Sequence, residues 1–222
     1  MKTRFLLLLG LSAIACVAAA GGEQPPPFSG GGLDGWTAEN ILGEKETHYS
    51  VVDDGGVKVV QAQCQDSASM EGWAAPVDLA KTPLLSWRWK IEHLYPGLDE
   101  RHKGGSDFPA RVYVVTGKRW LPWTLHTIEY AWSNGEYKGD SWPSPYSGPM
   151  GPALIVPVRV GADGVGQWQE QQRDVRADFK QFFNLDIDKI GALAIMTDCD
   201  DSHGTGRAWY GDLHFVNREA AK

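Results

Sequence analysis

The 222 residues give room for one sizeable domain, or at most two small ones. A hydrophobic fraction of 42% with ten tryptophans excludes a disordered chain, and 26 glycines and 13 prolines scattered between short apolar runs favour an all-β fold with many turns. The formal net charge of −7 argues against a nucleic-acid binder, whose affinity needs a basic surface.

The chain opens as a targeting segment. Lys2 and Arg4 supply a positive start, and Phe5 to Ala15 is an apolar run too short to span a bilayer. Two processing patterns overlap here. Ala18-Ala19-Ala20 suits ordinary signal peptidase, which would remove residues 1–20. Ala13-Ile14-Ala15-Cys16 resembles a lipobox, with residues 1–15 removed and Cys16 acylated, although Ala13 stands where leucine is more usual. Both patterns place the protein outside the cytoplasm, in the periplasm or as a lipoprotein anchored to a bacterial envelope. No other segment is apolar enough to cross a membrane. Residues 21–32, rich in glycine and proline, read as a linker, leaving one domain over 33–217 and a tail at 218–222. Cys64 and Cys199 are an even pair in an exported chain, which suggests a disulfide; the alternative is two buried thiols packing as small hydrophobes.

His48 to Asp53 and Val57 to Gln63 alternate around the turn Asp54-Gly55-Gly56 and predict a hairpin. Ser67 to Leu79 is a third extended segment, with Met70, Trp73 and Val77 as its apolar contributors. Leu84 to Ile91 alternates clearly: Leu85, Trp87, Trp89 and Ile91 share one face, and Ser86, Arg88 and Lys90 the other. Phe108 to Val115 repeats the pattern, with Phe108, Ala110, Val112 and Val114 opposite Arg111 and Tyr113. The link between them, Glu92 to Asp107, is long, charged and broken by glycine, as functional or disordered loops are. Thr124 to Ser133 carries His126, Ile128, Tyr130 and Trp132 on one face and Glu129 on the other. Ser141 to Pro152 is too rich in proline for a helix or a central strand, and Leu154 to Val160 reads as a buried strand. Val175 to Phe183 is the one good helix, with Asp174 as N-cap and Val175, Phe179 and Phe182 on its apolar face. Lys189 to Thr197 and Arg207 to Asn217 close the chain around the acidic turn Asp198 to Gly204. Short strands, one short helix and turn-rich joints predict an all-β, two-sheet jelly-roll sandwich.

If the two central strands share a sheet, Arg88, Asp107, Arg111 and Tyr113 form one cluster on its polar face, flanked by Trp132. Such a face either binds a polar ligand or is merely solvated. Arginines there would favour an acidic sugar, because a guanidinium grips a carboxylate through two parallel bonds. Paired carboxylates for glycoside hydrolysis leave no local signature, and Asp107, Glu129, Asp198 and Asp212 are the candidates. Asp198-x-Asp200-Asp201 has oxygen spacing suited to calcium, against the plainer reading of an Asx-rich turn capping backbone donors. Trp87, Trp89 and Trp209 sit in alternating patterns and are assigned to the core. Trp120, Trp123, Trp142 and Tyr146 sit in loops, either exposed for stacking on sugars or folded back as a lid. There is no G-x-S-x-G elbow, no H-E-x-x-H helix, no phosphate-binding glycine loop and no Cys-x-x-Cys pair.

The segments LSWRWKIEHL, ERHKGGSDFPARVYVV, EYAWSNGEYKGD, GQWQEQQRDVRADFKQFF, IGALAIMTDCDDS and AWYGDLHF, in this order, resemble a bacterial family of exported proteins of unknown function, domain of unknown function 3047. The resemblance runs from Phe28 to the C-terminus and brings no established reaction. It implies a fold similar to the galactose-binding-like jelly rolls of many carbohydrate-binding modules, with GLDGW and YGDLHF at the two ends of the domain. By the same likeness Asp34 and Asp212 are implied as ligands of a structural Ca2+ where the termini meet. Ser106 departs from the family's usual aspartate, which puts a metal role for that loop in doubt; Cys64 and Cys199 stand where other residues are usual.

Three functions are compatible with these patterns. The first is a non-catalytic exported module binding a saccharide or another polar or acidic ligand, with Arg88, Asp107 and Arg111 hydrogen-bonding it and Tyr113 and Trp132 flanking. The second is a hydrolase or lyase acting on envelope polysaccharide, with Asp107 and Asp198 as acid and base. The third is an envelope scaffold that docks a protein on the same face. No cofactor follows from the sequence with certainty; a structural Ca2+ is the one candidate.

Overall fold

The computed structural model describes residues 23–118, 121–135, 140–148 and 151–219; the targeting segment, with Cys16, and Trp120 lie outside them. In chain order the elements are α1 (Phe28–Gly31), β1 (Thr37–Asn40), β2 (His48–Asp53), β3 (Lys58–Gln65), β4 (Ala68–Trp73), β5 (Val77–Asp78), β6 (Leu84–Ile91), β7 (Arg111–Lys118) and β8 (Leu121–Ser133). They continue with β9 (Trp142–Pro143), β10 (Ala153–Val160), β11 (Gln169–Asp174), α2 (Val175–Phe183), β12 (Lys189–Ile190), β13 (Ala192–Asp198), β14 (Thr205–Tyr210) and β15 (His214–Val216).

Two sheets face each other in a jelly-roll sandwich. One has seven strands in the order β1-β4-β13-β7-β8-β10-β9, and the other follows β11-β6-β14-β3-β2, with β15 also paired to β6. The alternating strands bury their apolar faces between the layers. Trp87, Trp89 and Ile91 from β6 meet Val112 and Val114 from β7 and Ile128, Tyr130 and Trp132 from β8 in one core. Trp87 stacks on Tyr130 with centroids 5.5 Å apart, and Trp89 lies 6.1 Å from Trp132. Such ring pairs contribute about 0.5–1.5 kcal/mol each beyond the area they bury.

Helix α2 forms where the 3.6-residue pattern predicts it, and the Asp174 carboxylate accepts from the Ala177 N–H at 3.0 Å. Elsewhere the chain departs from the sequence patterns in five places. The expected linker is shortened, because Gln24 exchanges two hydrogen bonds with the Phe215 backbone and Phe28, at the start of the extra helix α1, is fully buried 4.8 Å from Trp36. One aromatic ring is enough to pin a segment whose composition otherwise reads as a tether. Strand β11 is all polar, so its period of two carries no hydrophobic signal, and short, exposed β1 escapes for the same reason. Strand β10 runs parallel to β8, a pairing that no local pattern announces. The closing segment is two strands: β14 and β15 lie end to end along β6, broken at 211–213, where the Gly211 N–H donates to the Arg88 carbonyl at 2.9 Å. Finally, β6 and β7 belong to different sheets, so Arg88 and Arg111 point outward on opposite sides of the molecule.

Cys64, at the end of β3, and Cys199, just after β13, are joined in a disulfide with Cα atoms 6.1 Å apart. It ties one sheet to the other across a sequence separation of 135 residues. A cross-link of this kind typically stabilises by about 2–4 kcal/mol, chiefly by restricting the unfolded chain.

Candidate functional site

The outer face of the six-stranded sheet carries a recess. A cavity of about 600 Å³ is lined by Ser86 and Arg88 of β6, Glu170 and Gln172 of β11, His214 of β15, and Asp212 and Ser29 at the rim. It opens where the closing strand breaks. Antiparallel pairing sets Glu170 opposite Arg88, and both Gln172 and His214 opposite Ser86, so these side chains share one face. Asp212 is held at the rim by Ser29, whose N–H and hydroxyl donate to its two oxygens at 2.8 and 2.5 Å.

Beside the cavity lie two half-exposed indoles, Trp168 and Trp209. The Trp168 N–H donates to Asp54 at 2.6 Å, and Lys90 bonds the same carboxylate oxygen at 2.9 Å. These bonds hold the Asp54 carboxyl below its usual range. The Arg88 guanidinium lies 4.4 Å from the Trp168 ring centroid, and the Lys90 ammonium 4.6 Å from that of Trp209. Gln61 and Gln63 of β3 extend the surface, since they pair with Trp209 and Arg207 of β14. Flat rings, amides and cations on one sheet face are the chemistry that recognises a sugar, apolar on its ring faces and hydroxylated around its edge.

The outer face of the seven-stranded sheet is built differently. Arg111, Glu129 and Asp198 are 3, 4 and 4% exposed, so this is a buried ion triad and not a surface. Arg111 donates to Glu129 at 3.0 Å and to Asp198, and its guanidinium lies 4.9 Å from Phe108 and 5.3 Å from Tyr113. Tyr113 is half-buried, its hydroxyl donating to the Met196 sulfur at 3.3 Å. Phe108, Ala131, Trp142 and Ile155 form a second small core on this side, so Trp142 folds back while Tyr146 and Trp123 remain exposed.

The long link between β6 and β7 is fastened to the rest of the fold at several points. Buried Glu100 accepts from the Ser133 hydroxyl at 2.5 Å and the Asn134 N–H at 2.7 Å, and the Asn134 amide reaches back to the carbonyls of Tyr95 and Leu98. Asp107 accepts from the N–H groups of Asp201 and Ser202 at 3.2 and 2.7 Å. Burial pushes the Glu100 carboxyl up to about 7.

Carboxylate oxygens of Asp107, Asp198 and Asp200 come within 4.8 Å of one another, the one such acidic group among the described residues. The grouping does not fit a calcium ion. Asp107 already takes two backbone N–H donors, and Asp198 takes the Phe108 N–H at 3.1 Å and the Arg111 guanidinium. A divalent cation would sit against that guanidinium with few of the six to eight oxygens it needs. Asp201 turns its carboxylate to the Tyr146 hydroxyl, and Asp34 and Asp212 belong to no such acidic group. The turn is therefore an Asx-type cap, with burial raising Asp200 to about 6.

The single cluster expected of Arg88, Asp107, Arg111, Tyr113 and Trp132 is thus corrected. Asp107, Arg111 and Tyr113 lie on the seven-stranded side, Arg88 is on the far side, and Trp132 faces the core with its N–H donated to the Gly161 carbonyl at 3.0 Å. The acid–base pair expected of Asp107 and Asp198 is also buried, at 1 and 4% exposure. Trp209, expected in the core, faces outward, because its strand places Ala208 and Tyr210 inside. Trp168, Glu170, Gln172 and His214 escaped sequence reading. The one signal was the alternation Trp168-Gln169-Glu170-Gln171-Gln172, whose two faces are both polar beyond the first residue.

The sequence matches, over residues 34–214, the family described as "Protein of unknown function (DUF3047)". It matches no curated protein. Similar solved structures include the family 30 carbohydrate-binding module of a cellulosomal cellulase of Clostridium thermocellum (TM-score 0.46, 10% identity, 83% of this chain and 92% of that one). The xyloglucanase domain of NopAA from Sinorhizobium fredii aligns with a TM-score of 0.47 at 10% identity over 89% of this chain and 98% of its own. Endoglucanase 3 of Trichoderma harzianum, from family GH12, aligns with a TM-score of 0.46 at 10% identity over 90% and 100%.

Proposed function

The chain belongs to the DUF3047 family of proteins of unknown function, and on that premise we propose that it is an exported, non-catalytic module that binds saccharide on the outer face of its six-stranded sheet. The observation that carries this reading is the cavity beside Trp168 and Trp209, edged by Arg88, Gln172 and His214. Rings already held by Asp54 and Lys90 lose little freedom on binding, which favours affinity. The enzyme reading is weaker, because Asp107 and Asp198 are buried and occupied by N–H and guanidinium donors. Export rests on the N-terminal targeting pattern, and no helix among the described residues is long and apolar enough to cross a membrane.

Retention of the mature chain in gels cast with a panel of polysaccharides tests the reading. Trp168→Ala and Trp209→Ala should each weaken retention by about tenfold or more, as loss of a stacked ring does, with the melting temperature little changed. No new reducing ends should appear. Parental retention by both variants, or release of reducing ends, would count against it.

A further inference from the structure

Arg88 takes part in no ion pair among the described residues, although acidic groups surround it; its charge acts on Asp54 only at longer reach, helping to hold that carboxyl below its usual range. Glu170, its cross-strand neighbour, forms no such pair, Asp212 is bound by Ser29, and Asp54 is shared by Lys90 and Trp168. The arginine is nevertheless fixed. Its guanidinium stacks on Trp168, and its stem runs so close to Gly211 that a Cβ there would lie 2.6 Å from Cγ and 2.7 Å from Nε. That close approach accounts for a glycine at the strand break. A guanidinium held against an indole in the cavity wall, with no hydrogen-bond partner among the described residues, is placed to take a two-oxygen anion.

Resting on the saccharide reading above, we infer that the cavity selects sugars bearing a carboxylate, the hexuronates, and that Arg88 is the residue that determines this selectivity. A carboxylate is favoured over a sulfate or phosphate ester by shape, because its two oxygens lie in one plane like the guanidinium's N–H edge. The lining charges, Lys58 and Arg88 against Glu170 and Asp212, cancel, so a doubly charged phosphate ester is disfavoured further. Bulk attraction cannot substitute for the site, because a chain of net charge −7 repels polyanions.

The test compares polygalacturonate with the same polymer fully methyl-esterified, using the mature chain, Arg88→Gln and Arg88→Lys. The parent should bind the free acid at least about tenfold more tightly than the ester, the change expected for one charge-assisted pair. Arg88→Gln should bind acid and ester alike, and Arg88→Lys should keep only part of the preference, with both variants melting near the parent. Equal binding of acid and ester by the parent overturns the inference while leaving the saccharide reading standing. So does a preference that survives in Arg88→Gln, or dextran sulfate binding as tightly as the uronate. Binding to no polysaccharide of either kind removes the reading beneath it as well.

Discussion

Replacing Arg111 by alanine should lower folding stability by about 3–5 kcal/mol and leave saccharide retention by the folded fraction unchanged. Arg111 is the single cation between two buried carboxylates, Glu129 and Asp198, at the centre of the seven-stranded sheet's outer side. Its removal strands both charges in a region walled by Phe108, Tyr113 and Met196. The triple variant Arg111→Ala, Glu129→Gln, Asp198→Asn should recover part of the loss, because it removes the charges along with their partner. Urea unfolding of the three proteins measures both effects. A single variant as stable as the parent would contradict the buried triad, and one that folds normally and no longer binds polysaccharide would show that the site has been placed on the wrong sheet.

Stability should also fall as pH rises from about 5 to 8. Burial raises Glu100 to about 7 and Asp200 to about 6, from ordinary values of 4.5 and 3.8. Between the ordinary and the raised values the folded chain holds protons that the unfolded chain has released. Each such group therefore contributes stability that is fully present below its unfolded pKa and is lost as pH climbs through the folded one. The slope is up to about 1.4 kcal/mol per pH unit for each proton, or about 2–4 °C in melting temperature per kcal/mol for a domain of this size. Below about pH 4 the exposed pairs take over. Asp54, Asp66, Asp99 and Glu92 are held below their ordinary values by lysine, histidine or arginine partners, and they lose that support once protonated. Melting curves across the range should peak near pH 5, and Glu100→Gln should flatten the alkaline limb between pH 5 and 7. A midpoint that is level or rises from pH 5 to 8 would contradict the assignment.

The contrast between Arg88 and Arg111 shows what a sequence of this kind makes legible. Period-two alternation identified both as pointing away from the core, and both do. In a sandwich, however, outward has two opposite directions, and the choice between them depends on which distant strands each one pairs with. β6 pairs with β11, β14 and β15, and β7 with β13 and β8, so the two arginines part company. Helix α2 was legible down to its cap, because a helix is set by neighbours three and four residues away. The all-polar β11 was not legible, and it carries a wall of the cavity. The break at Gly211 was hidden too: a strand pattern ran through it, and the need for glycine there comes from an arginine stem more than a hundred residues earlier.

Hydrogen exchange of the mature chain, with and without saturating oligosaccharide, tests the location of binding most directly. Oligogalacturonate is the probe, with a neutral xylo-oligosaccharide in its place if only neutral glycans are retained. Slowed exchange should be confined to β6, β11 with the preceding Trp168, β14 and the segment from Gly211 to His214, with β7, β8 and β13 unaltered. Protection centred on Tyr113 and Glu129, or none anywhere at saturation, would contradict a binding surface on the six-stranded sheet.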